Sequence, residues 1–314
     1  MSEKESFDPI ALVLGANEAY AMPLAVSLYS CLINLQPIEL VNVYVIDDSI
    51  SVQSKARIQH ICDICPAKVN LEWIDASKTS LKLANMKTTD LFPPVVLLRL
   101  LIYECVSPIF DRAIYIDSDL IVRTNIRNLW EVDLNNYALL AVEEFKHRRK
   151  NYKCLGISIE EPYFNSGVLV FNLNRWRQES ITDKIIEYSI KNSDCITMPD
   201  QDPLNAVLKG EWKELDLRWN VVSSFFYHDD WADSPRNMAL WDQRKVLINE
   251  AYIYHFAGGS KPWQIGCEHP AQIEWVTYLI RSSWFKPSEL FWWLSVWGAK
   301  YLKWRIFGGK PLSV

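Results

Sequence analysis

The chain has 314 residues, of which 49% are hydrophobic and 23% charged, and its formal net charge is -5. That much apolar residue can fill a core, which excludes global disorder, and the acidic balance argues against a nucleic-acid partner. The amino end, MSEKESFDP, is polar and carries no apolar run ending in a cleavage site, so no signal peptide is read there. No stretch reaches the roughly 18 uninterrupted apolar residues of a spanning helix. A cytoplasmic protein is expected.

The first half alternates strand and helix patterns. Residues 10–15 (IALVLG) read as a buried strand and 20–35 as an apolar helix. Residues 40–47 form a second strand, 51–64 a helix and 68–74 a third strand. The segment 95–106 reads as helix, and 113–116 (AIYI) as a short strand running into Asp117. Strands separated by crossover-length helices favour a mainly parallel sheet with helices on both faces, which gathers ligands at the carboxyl ends of its strands. In the second half, 138–143 and 166–172 read as strands with the basic loop 146–153 between them. A helix is expected over 173–191, another from near Pro203, and a last strand over 252–256. The composition changes near residue 281, so two units are expected: 1–280 as the main α/β domain and 281–314 as an aromatic and basic extension.

Seven cysteines are scattered along the chain, an odd number that fits a reducing compartment better than a disulfide framework. Cys62 and Cys65 form a CxxC pair within a helix, with no second pair nearby. Two ordinary helix cysteines account for it better than zinc or redox chemistry.

The feature richest in chemistry is Asp117-Ser118-Asp119 at the end of an apolar strand. Two carboxylates one residue apart can face one hard divalent cation, and substrate phosphates normally complete such a site. Alone the pair is ambiguous, since turn and capping roles are common. Phosphatases of the haloacid dehalogenase class also carry DxD after a strand, but there Thr or Val stands where this chain has Ile121, and the motif ends the first strand. Asn165-Ser166-Gly167 precedes another strand. Asp200-Gln201-Asp202 precedes Pro203 and, taken alone, reads as a helix cap. His255 closes a strand just before Gly258, Gly259 and Lys261, where it can offer a nitrogen to a metal while the lysine meets phosphate oxygens.

Taken in order, AYAMPLAVSLYS (19–30), RLLIYE (99–104), IYIDSDLIV (114–122), PYFNSGVLVFNLNRWR (162–177), PDQDPLN (199–205) and YHFAGGSKPW (254–263) closely resemble glycosyltransferase family 8. That family includes bacterial lipopolysaccharide galactosyl- and glucosyltransferases and glycogenin. The resemblance covers roughly residues 10–265 and implies a GT-A fold, with a Rossmann-like mixed, mainly parallel α/β sheet. It also implies a UDP-hexose donor, a saccharide acceptor and Mn2+, with Mg2+ as the alternative. By the same resemblance Asp117, Asp119 and His255 are metal ligands. Lys261 with Gly258 and Gly259 would hold the diphosphate, and Arg99 would reach the donor. Asn165, Asp200 and Gln201 would line the sugar pocket, while Tyr20 and Ser118 would contact the nucleotide. Asn17 stands where the family's uracil-reading acid is expected, and its carbonyl oxygen can still accept from uracil N3–H. Transfer with retention is implied. The amide of Gln201 is a poor nucleophile, which favours a same-face route over a covalent intermediate. A metal-dependent nucleotide-sugar hydrolase or phosphatase, and a silent sugar-nucleotide-binding protein, are the competing readings.

From Pro287 a helix is expected with Leu290, Trp293, Leu294, Trp297, Tyr301 and Trp304 on one face and Lys300, Lys303 and Arg305 nearby. That face either packs on the protein or a second subunit, or lies on the inner membrane surface. The balance of tryptophan and lysine leans to the membrane. A similar tail in lipid-glycan members of the family makes a lipid-linked acceptor the expectation.

Overall fold

The computed structural model describes residues 8–89, 94–145, 152–158, 160–227 and 235–307. Ten strands are described: β1 Ile10–Asn17, β2 Leu40–Asp48, β3 Lys68–Asp75, β4 Arg112–Ile116, β5 Leu120–Val122, β6 Leu139–Glu143, β7 Phe164–Asn172, β8 Trp212–Glu214, β9 Val221–Val222 and β10 Ile253–His255. Seven form one sheet in the order β3-β2-β1-β4-β7-β6-β8. The pairings β3/β2, β2/β1, β1/β4 and β6/β8 are parallel, and only β7 runs against its neighbours. The expected mixed, mainly parallel sheet is present. Unbroken apolar runs such as β1 belong in the middle of a sheet covered on both faces, and residues 10–14 are fully buried there.

Three short strands make a second sheet in the order β5-β10-β9. Sequence patterning gave β10 but neither β5 nor β9. Runs of three and two residues have no periodicity of their own, and their partners lie far away in the chain.

Two expected helices differ in form. The segment Pro94–Leu101 winds as a tight 3-10 coil before one α turn over Ile102–Cys105. It buries five consecutive residues, Leu97 to Leu101, so it lacks the single apolar stripe that an α-helix at a surface would present. The helix expected over 173–191 is two, Leu173–Gln178 and Ile181–Lys191, separated at Ser180 with φ 49°. The Asn172 side chain caps the first by accepting from the Arg175 N–H at 3.1 Å. The turn then carries Ile181 and Ile185 of the second into the core.

The cysteine expectation needs correction. Cys154 and Cys195 are joined as a disulfide, with Cα atoms 5.6 Å apart, which ties the Tyr152–Leu155 turn to the segment leading to Asp200. The topology brings together two residues 41 positions apart, and spacing does not reveal such a pair. Cys62 and Cys65 are buried free thiols, each pushed up to about 12 by burial, so they behave as packing residues. The loop 146–151 and the amino end 1–7 lie outside the described residues.

The C-terminal helix runs from Pro287 to Phe307. The face expected at the membrane turns inward instead. Trp297 is buried, and Trp293, Leu294 and Tyr301 pack against the core beside it. Trp293, Trp297 and Tyr301 stack in a column, with centroids 5.5 and 4.9 Å apart. The helix start is bound to helix Val52–Ile64 through both Glu289 oxygens, which accept from the Arg57 guanidinium at 2.9 and 3.0 Å. The opposite side exposes Phe291, Trp292 and Leu302 with Lys300 and Lys303. Among the described residues no helix is long and apolar enough to cross a membrane.

Candidate active site

The small sheet explains how residues more than a hundred positions apart meet. β4 ends at Ile116, and Asp117 follows, its N–H donating to the Gly167 carbonyl of β7 at 2.8 Å. The chain turns through Ser118 and Asp119 into β5. Antiparallel pairing sets His255 of β10 opposite Leu120, and the Phe256 N–H donates to the Asp119 carbonyl at 2.9 Å. Potential ligand atoms of Asp117, Asp119 and His255 consequently lie within 4.8 Å of one another. His255 Nε2 is 3.3 Å from Asp119 Oδ1 and 3.7 Å from Asp117 Oδ2.

The room for this cluster comes from Gly167. A Cβ there would stand 2.2 Å from His255 Cε1 and 2.8 Å from Asp117 Oδ2, so only glycine allows the three groups to converge. Two carboxylates and an imidazole are a donor set that suits a divalent cation. The residues present fit such an ion.

Asp117 is held by its other oxygen. Oδ1 accepts from the Tyr115 hydroxyl at 2.6 Å and lies 2.9 Å from Arg99 Nη2. Oδ2 is thereby the atom turned toward His255. Arg99, placed by the 3-10 coil, is buried over the Tyr115 ring at 4.8 Å. Its Nη1 donates to the Ser166 carbonyl at 2.7 Å and lies 3.2 Å from Asp200 Oδ2. Burial alone would lower its basicity, but Asp117 and Asp200 outweigh that and raise it further. Arg99 thus neutralises two acids from different segments.

Asp119 is held by Lys261, whose Nζ donates to Asp119 Oδ2 and also to the Phe256 carbonyl at 2.9 Å. Burial would raise the Asp119 carboxyl, yet Lys261 and His255 hold it well below the usual carboxylate range. Burial likewise opposes the Lys261 charge, and Asp119 reverses the effect and raises it. Both groups stay charged at neutral pH. Gly258 (φ +91°) and Gly259 form the exposed turn just before this lysine, with open space where a Cβ would stand.

The acids of 200–202 separate by role. Asp200 opens helix Gln201–Val207 but makes no side-chain cap; its carboxylate accepts from Ser166 Oγ at 2.7 Å and faces Arg99. Asp202 is the structural one, accepting from the Thr197 and Met198 N–H groups at 2.8 and 2.9 Å and from the Tyr163 hydroxyl at 2.5 Å. Capping, the reading favoured for the isolated motif, does not describe Asp200.

Asn165 and Gln201 meet on a carboxylate that sequence reasoning did not single out. Their amide nitrogens donate to Glu144 Oε2 at 3.0 and 2.9 Å. Glu144 follows β6, so the rule that drew attention to Asp117, an acid just past an apolar strand, was available for it too. Tyr115 and Asn220 were also missed. The first sits inside a strand pattern, and the second has no local signal.

At the carboxyl end of β1, Asn17 closes the strand and its side chain accepts from the Tyr20 N–H at 3.3 Å. Tyr20 meets Trp263 edge to face at 5.6 Å, next to the Lys261 turn. Ser118 donates to the Gly15 carbonyl at 2.9 Å, tying the acidic turn to β1. Glu18 accepts from the Ser51 N–H at 2.7 Å and Ser54 Oγ at 2.9 Å, which anchors this loop to helix Val52–Ile64. Lys261 thus contacts Asp119 directly and Ser118 lies between the two acids, while Asp200 reaches Asp117 through Arg99.

A mainly parallel α/β sheet with a carboxylate and imidazole cluster at its strand ends defines a GT-A-type architecture. Among solved structures, the chain is similar to the galactosyltransferase LgtC in complex with donor and acceptor sugar analogs. The TM-score is 0.75 at 22% identity, covering 93% of this chain and 100% of that one. It is similar also to the bifunctional glycosyltransferase WbbM, with a TM-score of 0.72 at 19% identity over 90% and 52% of the two chains. In sequence it is 28% identical to General stress protein A of Bacillus subtilis (strain 168) over 87% of this chain and 94% of the relative. It is 23% identical to the lipopolysaccharide 1,2-glucosyltransferase of Escherichia coli (strain K12) over 86% and 77%. The profile of Glycosyl transferase family 8 matches residues 11–266, and the chain belongs to that family.

Proposed function

We propose that the protein is a retaining hexosyltransferase that moves glucose or galactose from a UDP-sugar to a glycan or lipid-linked saccharide. The observation that carries this reading is the convergence of Asp117, Asp119 and His255 around the space left by Gly167, with Lys261 alongside. A divalent cation, Mn2+ or Mg2+, held by those three residues would supply positive charge to a diphosphate leaving group. Lys261 adds a second charge by turning from Asp119 to phosphate oxygens, with the Gly258-Gly259 turn giving the backbone close approach. Tyr20 and Asn17 flank the base, and Asn17 offers its remaining lone pair to uracil N3–H.

Asn165, Asp200 and Gln201 bind sugar hydroxyls and orient the anomeric carbon. A same-face route follows from how the carboxylates are occupied. Asp200 is engaged by Arg99 and Ser166, which lowers its nucleophilicity, and Gln201 is an amide. The acceptor proton then passes to the leaving phosphate, while Lys261 stabilises the diphosphate as it departs. The named activity of the E. coli relative and the sugar analogs bound to LgtC support a nucleotide-sugar donor and a saccharide acceptor.

The exposed Phe291, Trp292 and Leu302 beside Lys300 and Lys303 support peripheral contact with an anionic membrane surface, near a lipid-linked acceptor. The test of the central reading is UDP release from UDP-glucose and UDP-galactose with Mn2+, with and without saccharide acceptors. Acceptor-dependent release supports a transferase. Equal release without any acceptor supports a hydrolase, and none with any nucleotide sugar supports a silent binding protein.

A further inference from the structure

Asn220 stands immediately before β9 and is buried between the acidic cluster and the sugar-pocket residues. Its Oδ1 is 2.9 Å from His255 Nδ1, and its Nδ2 donates to Asn165 Oδ1 at 2.8 Å. The orientation of each amide in this chain follows from one unambiguous donor. The backbone N–H of Gly167 lies 2.9 Å from the Asn165 side chain, so the atom facing it is the carbonyl oxygen. The other end of Asn165 is then NH2, which agrees with its contact to the Glu144 carboxylate. Against the Asn165 oxygen, Asn220 has to present its own NH2. The opposite orientation would set two oxygens together. Asn220 Oδ1 therefore faces His255 Nδ1, and a hydrogen bond at 2.9 Å requires the proton to be on Nδ1.

We propose that Asn220 is a positioning residue that holds the His255 proton on Nδ1, so that the Nε2 lone pair is the one offered to a cation beside Asp117 and Asp119. The inference rests on the reading of those three residues as metal ligands. It also gives that site a fixed link to the sugar pocket, from His255 through Asn220 and Asn165 to Glu144 and Gln201. A ring nitrogen that binds metal is oriented by what the other ring nitrogen donates to, and loss of such a partner typically weakens metal affinity about 10–100-fold. Without an acceptor at Nδ1 the neutral ring can carry its proton on Nε2, where it would occupy the position of the metal.

The experiment is nitrogen NMR of the full chain labelled with 15N-histidine, read at both ring nitrogens, without metal and with saturating diamagnetic Mg2+, on wild type, Asn220→Ala and Asn220→Asp. His255→Gln serves to assign the resonance. Mn2+ titration calorimetry is run on the same samples. The proposal expects a protonated Nδ1 in wild type, loss of that state in Asn220→Ala with Mn2+ binding about 10–100-fold weaker, and its retention in Asn220→Asp, which keeps an acceptor oxygen toward His255 while setting its other oxygen against Asn165 Oδ1. An unprotonated Nδ1 in wild type overturns it. So does an Asn220→Ala protein that keeps both the protonated Nδ1 and wild-type affinity, or an Asn220→Asp protein that folds yet loses the Nδ1 proton. Should Asn220→Ala fail to fold, wild type and Asn220→Asp decide between these outcomes. A protonated Nδ1 in a wild type that binds no Mn2+ upholds the Asn220 assignment and removes the metal reading alone.

Discussion

Gly167 and His255 fit together so closely that one added methyl at position 167 would stand 2.2 Å from the imidazole Cε1. The same methyl would press on Asp117, so a backbone requirement on β7 and the composition of the acidic cluster are one constraint.

Gly167→Ala should accordingly displace His255 and weaken Mn2+ binding by at least about tenfold, with a stability cost of about 1–3 kcal/mol from overpacking. Calorimetric titration and urea unfolding read the two effects separately. Wild-type Mn2+ affinity in this variant would mean that His255 does not take part.

Tyr115→Phe removes one of the donors on Asp117 Oδ1 and leaves the ring over which Arg99 sits. A hydrogen bond to a charged group contributes about 1.5–3 kcal/mol. The variant should therefore need roughly ten times more Mn2+ for half-maximal activity, while activity at saturating Mn2+ stays close to wild type. A fall in maximal activity with no change in metal requirement would give Tyr115 a different part.

Asp200→Asn leaves the buried Arg99 with Asp117 as its remaining ion-pair partner. Breaking a buried pair from one side typically costs about 3–5 kcal/mol, so the melting point should fall along with activity. The same-face route expects mass spectrometry to find no covalent glycosyl-enzyme in wild type or in Glu144→Gln under slow turnover. An adduct on Asp200, Gln201 or Glu144 would replace that route with a double displacement.

His269 is buried among Phe226, Tyr254 and Phe256 and accepts from the Ala271 N–H at Nδ1, 3.1 Å away. Burial pushes it down to about 3 from an ordinary value of 6.5. As pH falls, the unfolded chain takes up this proton first, so the contribution to stability is complete above pH 6.5 and shrinks toward pH 3. Between pH 6.5 and 4.5 wild type should lose roughly 2 kcal/mol relative to His269→Phe, as measured by urea unfolding. Parallel pH profiles of the two proteins would refute this.

Replacing Phe291, Trp292 and Leu302 together by Ser should lower partitioning onto anionic vesicles without lowering the melting point, because all three side chains are exposed. Truncating the helix would confound this test by removing buried Trp297 and the Arg57 tie to Glu289. Unchanged partitioning would leave the exposed strip without a membrane role.

Most of the large sheet could be read from the amino-acid sequence because β1, β2, β4 and β7 are long or strongly apolar, and residue pattern reports local burial well. The acids, His255 and Lys261 were also legible as chemical types, and their order along the chain pointed to the family. Their convergence was implied by that resemblance and not by residue pattern, because it is made by β5 against β10, and a three-residue strand leaves no pattern to detect. The partners that aim these groups were hidden for a related reason. Tyr115 reads as one more strand residue, and Asn220 acquires meaning only once β9 lies beside β10. For the C-terminal helix the pattern gave the helix but not which side faces inward, since apolar residues occur on both sides and packing decided between them.

The most direct test of the account is Mn2+ titration of wild type, Asp119→Asn and His255→Ala, each with and without UDP. The account predicts one site in wild type that UDP tightens, and loss of that site in both variants while their melting points show folded protein. Mn2+ binding of wild-type strength in either folded variant, or UDP-hexose turnover undiminished by a metal chelator, would contradict it.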